Sequence, residues 1–159
     1  LGVKSDIVME YVGVYKEHYR KIANQKTTLL ENAKEAIELV SKFATLGIVT
    51  TKTALYSREL MEYFELMQYF EVLIGREDVR NPKPHAEPIL KALEKLDTKN
   101  REIWMIGDTK LDLMAAKNAN VNSIAVLSGY DDVKILRKFT DVIFNDALEA
   151  AIYLQTRKT

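Results

Sequence analysis

The stretch Ile103-Trp104-Met105-Ile106-Gly107-Asp108-Thr109-Lys110-Leu111-Asp112 decides how the chain is read. Four apolar residues run into a glycine, and two carboxylates follow four positions apart. The apolar run is short and partly β-branched, which predicts a buried strand. Leu113 to Ala119 then has the pattern of a helix. The acidic pair therefore falls at a strand-to-helix corner, at the carboxyl end of the strand, where open α/β sheets hold their ligands. Gly107 lets the chain turn there without a Cβ clash. Oxygen ligands of this kind suit a hard cation such as Mg²⁺.

Outward from that corner, strands and helices alternate. Leu30, Ala33, Ile37, Val40 and Phe43 share one helix face, and Gly47 stands where a C-cap is expected. Ile48-Val49-Thr50-Thr51 reads as a short strand, Ala54 to Met67 as a helix and Phe70 to Gly75 as a strand. Arg76 to Pro84 is a polar loop ending Asn81-Pro82-Lys83-Pro84, in which two prolines fix the backbone around one lysine. A helix with Pro88 near its start follows. Beyond the acidic corner come strand Ser123 to Leu127, helix Val133 to Phe139, strand Val142 to Phe144 and a helix from Asp146. Before all of these, Val8, Tyr11, Val12, Tyr15, Tyr19 and Ile22 predict an amphipathic helix, and residues 24–28 a polar linker. The alternation predicts an α/β fold, a three-layer doubly wound parallel sheet. Right-handed crossovers bring the strand-end loops to one edge, so Thr50, Lys83, Asp108 and Asp112 should converge.

Composition sets the outer limits. The 159 residues are 47% hydrophobic, enough for a sizeable core, and 23 basic residues balance 23 acidic ones. That balance gives no support for nucleic acid as a partner. The absence of cysteine removes disulfides and thiol chemistry, and it fits a cytoplasmic location. No apolar run is long enough for a bilayer, so no membrane partner is expected. Oligomeric state has no signal.

A strand-tip hydroxyl, a lysine held between prolines and two carboxylates together make a phosphate-plus-metal site. A carboxylate about 4 Å from a phosphate charge is repelled by roughly 4 kcal/mol at an effective dielectric near 20. A cation and the lysine have to offset that. Taken singly, Asp108 and Asp112 also fit helix capping, Thr50 a β-branched strand residue and Lys83 a solvated surface residue. The two histidines, His18 and His85, fit surface or helix-start roles, and Trp104 fits the core.

The order Val49-Thr50-Thr51-Lys52, then Pro82-Lys83-Pro84, then Gly107-Asp108-Thr109 with Asp112 resembles the haloacid dehalogenase-like (HAD) phosphatases. Within them it looks most like the phosphoglycolate phosphatase and β-phosphoglucomutase branch. The resemblance runs from Thr28 onward, with residues 1–26 resembling the end of a helical cap plus linker and 27–159 the core. It implies that Thr50, with Thr51 beside it, binds the transferring phosphoryl group and that Lys83 stabilises its charge. Asp108 would ligate Mg²⁺, with Asp112 as second ligand or as a partner behind the first. The substrate would be a small phosphorylated metabolite, and the nucleophile an aspartate that becomes phosphorylated.

The family's Asp-x-Asp motif, at the tip of a central strand, is not in this sequence: Asp131-Asp132 has the wrong spacing, and Ser5-Asp6 precedes a helix. In the family that strand lies between those of Ile48–Thr51 and Ile103–Gly107. Without it, two strand edges lie buried and unpaired, at about 1–3 kcal/mol for each unsatisfied group. The expectation is a chain that is the carboxyl-terminal portion of a longer phosphatase and is inactive alone. A phosphomutase and a catalytically inactive HAD-like interaction module are the alternatives. A receiver domain has its acids early rather than late, and no Gly-x-Gly-x-x-Gly follows a strand to suggest a dinucleotide fold.

Overall fold

The computed structural model describes residues 27–99 and 101–157. The helix and linker expected before Thr27, His18, and the cap remnant they imply lie outside the described residues. The elements in chain order are α1 (Ala33–Ser41), β1 (Leu46–Val49), α2 (Ala54–Tyr63), β2 (Phe70–Ile74), α3 (Glu87–Glu94), β3 (Trp104–Gly107) and α4 (Lys110–Asn118). They continue with β4 (Asn122–Val126), α5 (Val133–Leu136), β5 (Ile143–Phe144) and α6 (Ala147–Thr156), and short 3₁₀ turns flank β2.

All strand pairings are parallel, but the strands form two sheets: β1 with β2, and β3–β4–β5 with β4 in the centre. Helices bridge the two. On one face, Ile89 and Leu93 of α3 pack with Ala115 and Ala116 of α4, and this cluster takes in both Val49 of β1 and Met105 of β3. On the other face, Ala36 and Val40 of α1 pack against Ala151 of α6 and reach Leu46 of β1. The same α6 covers Ile124, Val126 and Trp104 of the second sheet. Alternation along β4 explains this: Ile124 and Val126 face α6, while Ala125 faces Leu113 of α4 and Leu136 of α5. The result is helix, sheet, helix, with a break in the middle layer.

The break is a cavity of about 640 Å³ between β1 and β3, lined by Leu46, Val49, Leu93, Trp104, Ile106 and Leu154 among others. Neighbouring strands sit about 4.8 Å apart, so a break that admits one further strand spans twice that distance. Its lining is mostly aliphatic and aromatic, as suits the centre of a sheet covered on both faces, with polar residues such as Thr45, Arg101 and Glu102 at one end. At its amino-terminal end Arg157 closes the wall, over the Trp104 ring at 5.2 Å and bonded to Glu102 at 3.3 Å. Among the described residues, the edges of β1 and β3 that face this cavity pair with no other strand.

Several boundaries differ from expectation. Gly47 lies inside β1, opposite Val72, rather than capping a helix. A Cβ there would meet Val72 Cγ1 at 2.8 Å, so its smallness serves strand packing. The second helix stops at Tyr63, and Glu65 takes a left-handed φ of 57° before the chain enters β2. The helix after β4 is only four residues, its last turn passing into i→i+3 bonds from Lys138 and Phe139.

Asp146 ties the α1–α6 layer at its start. Its Oδ1 accepts the Leu148 and Glu149 N–H groups at 2.9 Å, and its Oδ2 accepts Asn32 Nδ2 at 2.7 Å. These bonds favour the ionised form, the Glu149 N–H most and Asn32 next, and hold the carboxyl below its ordinary value. A depressed carboxyl stabilises the fold above the unfolded-state pKa and loses that contribution as the pH falls through the folded-state value. The difference in thermal midpoint between the parent chain and Asp146→Ala should therefore be full at pH 7 and narrow below about pH 4. Ile124, fully buried in the central strand of its sheet, should cost about 2–4 kcal/mol in urea unfolding when changed to alanine.

Candidate active site

Three loops follow the carboxyl ends of β1, β2 and β3, and Lys83 of the second is bonded to the end of β1 and to Asp112 beyond β3. The first continues β1. Thr50 N–H donates to Ile74 O at 2.9 Å, which extends the pairing with β2 by one residue. The Thr50 hydroxyl oxygen accepts Lys52 N–H at 3.1 Å, a local turn that fixes it at the strand tip. Thr50 is half-buried and Thr51 exposed. The start of α2 is less open than the sequence suggests. Ala54 N–H donates to both oxygens of Glu77, at 2.9 and 3.0 Å, because an unpaired helix-start donor draws the nearest carboxylate.

The second loop carries Lys83. Its carboxyl-terminal anchor is Glu87, whose oxygens accept Arg80 N–H at 2.8 Å and Asn81 N–H and Nδ2 at 2.9 Å. The Arg80 and Asn81 bonds, in that order, hold the Glu87 carboxyl below its usual value. His85 Nδ1 accepts Glu87 N–H at 3.0 Å, a helix-start role, and Asn118 Nδ2 donates to Pro84 O at 2.9 Å. With its loop fixed from α3 and α4, Lys83 reaches inward. Its Nζ donates to Val49 O at 3.0 Å and to Asp112 Oδ1 at 2.5 Å, with a side chain only 11% exposed. One ammonium thus joins the carbonyl just before Thr50 to the carboxylate four residues after Asp108.

The third loop is the acidic corner. Thr109 is the N-cap of α4 in a capping box with Asp112. Asp112 Oδ2 accepts Thr109 N–H at 3.1 Å and the Thr109 hydroxyl at 2.7 Å. Asp112 is 4% exposed, and both its oxygens are occupied by the protein's own donors. Gly107 makes room for it: a Cβ there would lie 2.2 Å from Asp112 Cβ. Asp108 differs. It is half-buried, its Oδ2 accepts Tyr130 N–H at 3.0 Å, and its Oδ1 has no hydrogen-bond partner among the described residues.

Among the described residues no three acidic or histidine side chains gather to hold a metal. The donor chemistry still suits a hard cation, because Mg²⁺ is commonly held by one or two carboxylates with water and substrate oxygens completing the shell. Asp108 has one carboxylate oxygen open for that. Sequence reasoning missed Glu77, Gly129 and the backbone of Tyr130, all of which hold these loops in shape. A glycine three residues beyond β4 was the only available signal for the last two. Asp131 and Asp132 turn out to serve the backbone: Asp131 Oδ2 accepts Lys110 N–H at 2.7 Å, and Asp132 caps α5. Asp112→Ala should strand the buried Lys83 ammonium and cost about 3 kcal/mol in urea unfolding, whereas the same change at exposed Asp132 should cost about 1 kcal/mol.

The family model for haloacid dehalogenase-like hydrolases matches residues 3–126. A phosphoglycolate phosphatase of Salmonella typhi is 32% identical over 142 residues, 86% of this chain and 56% of that protein. A protein of Caldanaerobacter subterraneus, named provisionally as pyrophosphatase PpaX, is 34% identical over 125 residues, 78% of this chain and 57% of that protein. The chain thus spans a little over half the length of these relatives. Among solved structures, a haloacid dehalogenase-like family hydrolase of Streptococcus pneumoniae superposes with a TM-score of 0.73 at 25% identity, covering 96% of this chain and 72% of that one. A HAD-superfamily hydrolase of Geobacter sulfurreducens gives 0.71 at 26% identity, over 86% and 65% of the two chains. Motif order, a Rossmann-like parallel α/β architecture and a match across most of the sequence agree, and the chain belongs to the haloacid dehalogenase-like hydrolase family.

Proposed function

We propose that this chain forms the larger part of the core of a Mg²⁺-dependent phosphatase acting on a small phosphorylated metabolite of the phosphoglycolate type. The observation that carries the reading is the placement of the Lys83 ammonium, nearly dry and bonded to both Val49 O at the end of β1 and Asp112 beyond β3. A cation fixed there faces whatever anionic group enters between β1 and β3. Thr50 supplies a hydroxyl for a phosphoryl oxygen, Thr51 flanks it, and Lys83 offsets charge on both the phosphoryl group and its attacker. Asp108 takes the metal directly through its open oxygen. Asp112 acts behind it, aiming Lys83 and capping α4. When bound, Mg²⁺ neutralises charge that builds on the phosphoryl oxygens.

In this reading the nucleophile is an aspartate at the tip of a further strand, upstream in the complete protein, which fills the cavity. Its carboxylate attacks phosphorus, the ester P–O bond breaks, and the leaving oxygen takes a proton from a second acid. Water then cleaves the acyl phosphate, which releases inorganic phosphate and restores the carboxylate. The length of the relatives and the apolar cavity between β1 and β3 both support this arrangement.

The test is phosphate release by the protein with its upstream sequence, on a panel of phosphoglycolate, sugar phosphates and pyrophosphate. Expected are metal-dependent release and a loss of at least about a hundredfold in Asp108→Asn and Lys83→Ala, in protein that still unfolds cooperatively. Residues 1–159 alone should release none. Isomerisation of a sugar phosphate without release would replace the phosphatase with a mutase, and no turnover on any substrate would favour an inactive interaction module.

A further inference from the structure

The loop after β4 is fastened to the acidic corner after β3 by three hydrogen bonds. Tyr130 N–H donates to Asp108 Oδ2 at 3.0 Å, Asp131 N–H donates to Asp108 O at 3.2 Å, and Lys110 N–H donates to Asp131 Oδ2 at 2.7 Å. Between the strand end and these bonds stands Gly129. A Cβ at this position would fall 2.0 Å from Asp108 Oδ2 and 2.3 Å from its Cβ and Cγ. Gly129 does not have a left-handed φ. Space therefore demands glycine here, and the space is taken by the carboxylate of Asp108.

This contact fixes more than a loop. A carboxylate is free to turn about its χ2, a broad torsion with two equivalent settings. With Gly129 against one side and the Tyr130 N–H on Oδ2, that rotation is stopped. Oδ2 is committed to the loop and Oδ1 alone remains for a ligand. The side chain of Tyr130 plays no part in the clamp: it is 92% exposed, so the donor is the backbone.

We infer that Gly129 and the Tyr130 backbone are positioning residues for the metal-facing carboxylate. They hold Asp108 so that it binds a divalent cation through a single oxygen. The inference rests on the reading of Asp108 as the metal carboxylate. Groups that orient a metal ligand from behind commonly contribute 10–100-fold to metal affinity.

The test uses Mn²⁺ as the probe on the protein with its upstream sequence, with binding read from paramagnetic broadening of the Gly107 and Thr109 amide signals. The parent chain should show saturable broadening that Asp108→Asn removes. Gly129→Ala should weaken Mn²⁺ binding by at least about tenfold, while the signals around Lys83 and Asp112 keep their positions. Asp131→Ala, which frees only the Lys110 end of the loop, should weaken it too, by less, and serves if the first variant does not fold. Broadening that Asp108→Asn abolishes but both loop variants retain within about twofold would overturn the positioning role and leave Asp108 as the ligand. Broadening that Asp108→Asn leaves unchanged, or none at all in the parent chain, would overturn both readings.

Discussion

An ammonium ion held out of water needs a carboxylate and little else will serve. The Lys83–Asp112 pair meets that need, and much of the molecule is arranged around it. Asp112 is held by the N-cap of α4, which fixes where β3 ends. Gly107 is small because Asp112 lies against it. The loop before α3 is braced by Glu87 and Asn118 so that Lys83 can cross to the end of β1. Removing solvent from such a pair is costly, so the arrangement is poor evidence of selection for stability alone. It makes sense where a fixed positive charge is worth having.

That pair is also one of the few polar links between the two sheets. Apolar helix contacts also join the halves, α3 against α4 on one face and α1 against α6 on the other, the latter with the Asn32–Asp146 bond at its start. Hydrophobic contacts are non-directional and tolerate small shifts. The Lys83 bonds are directional and lie where the chemistry is expected. A directional connection between the halves therefore lies at the end that carries Thr50 and Asp108.

The layer order and most strands were legible because their signals are local: β-branched runs, a glycine before an acid, prolines around a lysine. Gly47 was misread because a glycine after a helical stretch looks the same whether it caps the helix or packs inside the next strand; only the Val72 contact tells them apart. Asp108 and Asp112 looked alike in sequence, four positions apart on one corner. Their different surroundings come from Lys83, 29 residues before Asp112, and from Tyr130, 22 residues after Asp108, and neither distance can be read from spacing. The break between β1 and β3 was foreseen from the family pattern and could not have been found from periodicity, since nothing in the residues present marks a neighbour they lack.

The divided sheet places Thr50 on one half and Asp108 on the other. The distance between hydroxyl and carboxylate is then set by how far apart the halves stand, and a parallel strand wedged between them is a spacer with a fixed width. In the proposed arrangement the segment that completes the layer would act as a gauge as well as a source of chemistry: a thinner or poorly seated insert would let the rim close or gape, and the grip on a small anion would change without any alteration to the groups that touch it.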